Sequence, residues 1–143
     1  MRRRFTALAL LAGVVLEGCA TGAAAEPSRE VTITFRYSRF APATPMTVPA
    51  GVPITITLRN EDPIAHEWIV GSPDEHAAHR AGTEPHHEGR PTEISVPPFA
   101  SRTTTIAFAP GTHAFICHLP GHEAYGMTGM LTVREMARHR IAR

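Results

Sequence analysis

The sequence predicts an all-β protein, an antiparallel sandwich of two sheets built from seven to eight short strands with Greek-key wiring. Three observations predict it. Apolar and polar residues alternate with period two along several segments rich in Thr, Val and Ile. Clusters of Pro and Gly punctuate those segments, drawn from 13 Pro and 11 Gly in 143 residues. Before the last ten residues, no stretch carries the 3.6-residue apolar period of an amphipathic helix.

The strands follow in order. Val31, Ile33 and Phe35 alternate in V-T-I-T-F-R, and Ile54, Ile56 and Leu58 in I-T-I-T-L-R. Ile94 with Val96, Ile106 with Phe108, Phe115 with Cys117 and Leu131 with Val133 repeat the pattern. Pro-Ala-Gly-Val-Pro at 49–53, Val-Pro-Pro at 96–98 and Ala-Pro-Gly-Thr at 109–112 supply turns between them. Two segments break the regularity. Residues 71–90 read as a loop carrying His76, His79, His86 and His87 among Pro, Gly and acids, and a basic tail follows the last strand.

The first residues read as a targeting segment. Arg2, Arg3 and Arg4 precede an apolar run over 5–16 that is too short to span a bilayer as a helix. Its end, Leu16-Glu17-Gly18-Cys19, resembles the lipobox of bacterial lipoproteins, which implies acylation of Cys19; Glu17 departs from that pattern. Cleavage after Ala23-Ala24-Ala25 is the alternative and would release a soluble protein. The expected organisation is a signal over 1–18 (or 1–25), a tether over 19–29, one domain over 30–134 and a tail over 135–143. Either cut puts the protein outside the cytoplasm, in the periplasm or on the outer face of the membrane, anchored through Cys19 or secreted.

Composition removes several functions. All 14 basic residues are Arg, set against 13 acids for a formal charge of +1 without long single-sign blocks, which argues against nucleic acid as a partner. Walker, G-x-S-x-G and G-x-G-x-x-G motifs are absent. His66-Glu67 and His122-Glu123 are followed by Val70 and Gly126 where a metalloprotease motif needs His. Cleavage before Cys19 removes three Arg and one Glu, leaving 11 Arg against 12 acids. Once Cys19 is acylated, Cys117 has no intramolecular disulfide partner.

The most informative stretch runs from Phe115 to Met127 and holds Cys117, His122 and Met127 in the pattern C-x4-H-x4-M after a predicted strand. His66, far upstream in I-A-H-E-W-I-V, can join them only when the sandwich closes. Two imidazoles, a thiolate and a weak axial thioether form the donor set of a mononuclear blue-copper site. Zinc can also enter a Cys-His-His set, since softness alone does not exclude it.

With these residues in place, the chain resembles the cupredoxins, the plastocyanin and azurin family, over residues 31–133. The resemblance implies that His66, Cys117, His122 and Met127 hold one copper ion, that the ion cycles between Cu(II) and Cu(I), and that the protein is a one-electron carrier rather than an enzyme. It also implies that the edge of His122, beside Pro120 and Gly121, is where electrons leave. Phe40-Ala41-Pro42, Val48-Pro49-Ala50-Gly51 and Leu58-Arg59-Asn60 look like the family's second and third strands. Backbone amides near Asn60 and Glu67 are expected to bond the Cys117 sulfur. Cys117 to His122 also looks like the copper loop of multicopper oxidases, but Ile116 precedes the Cys and one domain is too small to supply their cluster histidines. His118 should point away from the metal, because strand side chains alternate, and is expected at the surface.

A second reading comes from the loop. His76, His79, His86 and His87 form a candidate weak metal site, which suits an extracytoplasmic protein for copper acquisition, storage or delivery. The partners expected for the carrier are a redox donor and acceptor, with the protein itself a monomer and the membrane reached through the anchor. The Arg-rich tail is expected to fray or form a brief helix, and a role at an anionic lipid or acidic partner surface is the alternative.

Overall fold

The computed structural model describes residues 27–82 and 89–136. The targeting segment with Cys19, the loop histidines His86 and His87, and the end of the tail lie outside the described residues.

Among the described residues, nine strands form two facing sheets: β1 (Glu30–Phe35), β2 (Phe40–Ala41), β3 (Met46–Pro49), β4 (Pro53–Asn60), β5 (His66–Gly71), β6 (Glu93–Val96), β7 (Ser101–Ala107), β8 (Gly111–Ile116) and β9 (Thr128–Arg134). One sheet has the order β2-β1-β4-β7 and the other β3-β9-β8-β5-β6. Every alternating segment in the sequence is a strand or ends one. Ile54, Ile56 and Leu58 on β4 are buried while the intervening Thr55 and Thr57 are only half so, as period two requires when one face meets the core. The core between the sheets is filled by Phe35, Phe40, Trp68 and Phe115 together with the branched aliphatics of β1, β4 and β9.

The sheets are mixed rather than purely antiparallel. β1 runs parallel to β4 and β3 parallel to β9, whereas the other pairs are antiparallel. A parallel pair needs a long crossover. The chain between β1 and β4 provides one by passing through β3 in the opposite sheet.

The 71–90 segment is not wholly a loop. A helix, α1 (Pro73–Ala81), occupies its first half. Ser72 caps it: its hydroxyl accepts from the Glu75 amide at 3.2 Å, and the Glu75 carboxylate accepts from the Ser72 amide at 2.6 Å. Pro73 sits in the first turn, where its missing N–H costs nothing, and Gly82 closes the helix in the left-handed region at φ 65°. These local signals were present in Ser-Pro-Asp-Glu and in Gly82. The apolar period missed them because the helix buries a histidine, His76, against the sheet instead of an aliphatic stripe.

Candidate metal centre

Strand geometry decides which side chains meet. β5 and β8 are antiparallel neighbours; His66 opens β5, and Cys117 follows the last residue of β8. His66 and Cys117 both turn inward and are fully buried. Beyond Cys117 the chain makes a compact turn that returns to β9: the His122 amide donates to Leu119 O at 3.0 Å, Met127 N to His122 O at 3.0 Å, and Cys117 N to Met127 O at 3.2 Å. Gly121, at φ 84°, permits the left-handed step within it. The turn seats Met127 in the core, fully buried, and leaves His122 half-buried.

The donor atoms converge. His66 Nδ1 lies 3.2 Å from His122 Nδ1, and His122 Nδ1 lies 3.3 Å from Cys117 Sγ. All three fall within 4.8 Å of one another. Two nitrogen ligands about 2.0 Å from one tetrahedral ion sit about 3.3 Å apart, so the spacing already matches a bound ion. His66 Nε2 is 2.8 Å from Asp62 Oδ2, so that nitrogen donates and Nδ1 is left with its lone pair aimed at His122. A cation between the converging donors would take that lone pair; the donor set of two imidazoles and a thiolate fits copper.

A family model described as a cupredoxin-like domain matches residues 8–133. The chain belongs to the cupredoxin family. Its fold is similar to that of auracyanin from the photosynthetic bacterium Roseiflexus castenholzii, at 29% identity and a TM-score of 0.62 over 76% of this chain and 98% of that one. It is similar too to auracyanin A, a "blue" copper protein from Chloroflexus aurantiacus, at 26% identity and a TM-score of 0.52 over 73% of this chain and 98% of that one. In sequence it is 27% identical to the copper-resistant cuproprotein CopI of Pseudomonas aeruginosa, over 78% of this chain and 79% of the relative. The cofactor of a cupredoxin is one copper ion.

The surroundings of this cupredoxin site are polarised. Burial, the largest influence on Asp62, opposes its ionisation, but the Ser38 and Tyr37 amides at 2.8 and 2.7 Å and the His66 ring overcome it and hold the carboxyl below its usual range. Burial pushes the Cys117 thiol up, against the Glu67 amide, which donates to its sulfur at 3.3 Å, and that of Leu119. A cation at the site reverses that balance, because the thiolate is the ligand form. Burial, then the neighbouring His66, lowers His122, keeping its ring neutral and able to ligate.

The expected sulfur bond from Glu67 is present, but the one near Asn60 is not. The Asn60 amide donates to Ala100 O, and its side chain bridges the carbonyls of Ile64, Val96 and Pro97, fastening the β4 end to the segment that leads into His66. Asp62 escaped the sequence reading. Its signal was the i, i+4 spacing to His66, which has meaning only once both side chains point into the same space.

His118 corrects another expectation. It does turn away from the copper site, yet its side chain is only 5% exposed rather than lying at the surface. His118 Nε2 is 2.9 Å from His76 Nδ1, and its ring stacks on that of His79 at 5.2 Å and 14°. Of the four loop histidines, therefore, the described pair His76 and His79 gathers around the residue expected at the surface.

Proposed function

We propose that this cupredoxin is a mononuclear type 1 copper protein that carries single electrons outside the cytoplasm, with His66, Cys117, His122 and Met127 as ligands. The observation that carries the reading is the trio of His66, Cys117 and His122, already spaced for a metal, with buried Met127 joined to it by backbone bonds. Bound there, copper supplies a one-electron couple, and the Cys-His-His set with a weak thioether accommodates both of its oxidation states. The chain's own residues keep the geometry fixed: Asp62 orients His66, the Glu67 amide stabilises the sulfur, and the turn from Cys117 to Met127 is closed on itself by backbone bonds. Little has to move when an electron arrives. The half-buried His122 is the exit toward redox partners. The arginine-led apolar run at the N-terminus supports export, with anchoring through Cys19.

The test is the visible spectrum of the Cu(II)-loaded protein beside its Cys117→Ser variant, followed by reduction kinetics. An intense thiolate-to-copper band that vanishes in the variant, with copper retained against a chelator in both oxidation states and rapid electron exchange, supports the carrier. A colourless copper protein overturns it.

Similarity to a copper-resistant cuproprotein favours a second reading, copper acquisition, storage or delivery. It predicts loss of copper to a chelator or an acceptor on reduction and slow electron exchange.

A further inference from the structure

The side chains that follow His66 and Cys117 leave the copper site by strand alternation and enter a second cluster on the other side of the same sheet. His118 meets His76 from α1 there. His79, one turn along α1, stacks on His118, and Glu67, Glu93 and Glu123 are the acids around them. His76 is held as His66 is in the first site, by a partner on its opposite ring nitrogen. His76 Nε2 is 3.3 Å from the carbonyl of Ala114, an obligate acceptor, so Nε2 carries the proton and Nδ1 the lone pair. His118 Nδ1 lies 3.4 Å from Glu123 Oε2, an electrostatic contact that favours the proton on Nδ1 and the lone pair on Nε2, toward His76. The two facing nitrogens stand 2.9 Å apart, close to the spacing of adjacent ligands about 2.0 Å from one ion.

We propose that His76 and His118, with His79 beside them and Glu123 orienting His118, form a second metal site that binds Cu(II) or another borderline divalent ion. Imidazole ligands without thiolate or thioether favour Cu(II) and Zn(II) over Cu(I), and Cu(II) binds tightest of the divalent series. A pocket of about 500 Å³ opens beside His79, His118 and Glu123 and gives the ion a path in. Solvent completes the coordination, so the ion exchanges readily. Arg80 also lines this pocket, with its guanidinium paired to Glu123 at 2.6 Å. The proposal is independent of the redox reading of the first centre.

The test starts from the full chain with one copper in the first site and adds Cu(II), then separately Zn(II), against a competing chelator. Wild type should take up a second equivalent, giving for Cu(II) an electron paramagnetic resonance signal without an intense visible band. That equivalent should be lost in His76→Ala, persist in a His86→Ala/His87→Ala double variant, and bind about tenfold more weakly in Glu123→Gln. Uptake of only one metal by wild type, retention in folded His76→Ala, or loss in the double variant overturns the site. The visible band of the first copper reports folding in each variant. Should His76→Ala fail that check, Glu123→Gln decides: unchanged affinity overturns the proposal, and the tenfold loss upholds it.

Discussion

Two histidine clusters lie back to back across one sheet, and their differences show what separates a closed site with soft ligands from an open one of imidazoles and carboxylates. His66 and Cys117 face the core, and their chain neighbours Glu67 and His118 face α1. One imidazole in each cluster is aimed by a hydrogen bond at its opposite nitrogen, His66 by Asp62 and His76 by Ala114 O, and His118 has Glu123 3.4 Å from its far nitrogen. The inner cluster adds a thiolate and a buried thioether, soft ligands that suit Cu(I) as well as Cu(II). The outer one has only imidazoles and carboxylates beside a pocket. One periodicity, two residues per repeat, deals successive side chains to two different chemistries.

The largest effect should come from the shared strand end. Cys117→Ser is expected to abolish the intense visible absorption at the first centre while Cu(II) binding by His76 and His118 persists; loss of both would show that the clusters are not separable. Asp62→Asn should lower copper affinity at the first centre about 10- to 100-fold, because the ring of His66 loses the carboxylate that orients it, with the second site unchanged in a chelator competition. Ser72→Ala should act in the opposite sense, removing the α1 cap at a cost of about 1 kcal/mol and weakening the outer cluster before the inner one, as read by amide exchange across 73–81.

The smallest effect is a pH dependence of the same helix. The Ser72 amide, then its hydroxyl, hold Glu75 below its ordinary value of 4.5. A carboxylate depressed in the folded state stabilises fully above its unfolded value and loses that contribution as pH falls through the folded one. α1 should therefore loosen in acid ahead of β4, visible in amide shifts of residues 73–81 between neutral and acidic pH. Glu75→Gln should flatten that response.

The strands and the candidate ligands between Cys117 and Met127 were legible because each rests on a short-range rule. Alternation at Ile54, Ile56 and Leu58 needs only the pleat, and the turn from Cys117 to Met127 carries three candidate ligands within eleven residues. The helix was hidden by its unusual buried face, though its cap was written in Ser72 and Glu75. Asp62 and His118 were not legible as site residues, since a carboxylate four residues from a histidine and a histidine beside a cysteine each have many possible neighbours.

By itself the sequence determined the pleated strands, the soft donor set and the order in which its members occur, because side-chain chemistry and period-two burial act over a few residues. Tertiary structure decided the rest: that β1 and β4 run parallel, that His66 reaches Cys117 from 51 residues away, and that α1 lays His76 and His79 on His118. Those are meetings of distant segments. They depend on how two sheets and a helix close around one core, which no local pattern encodes.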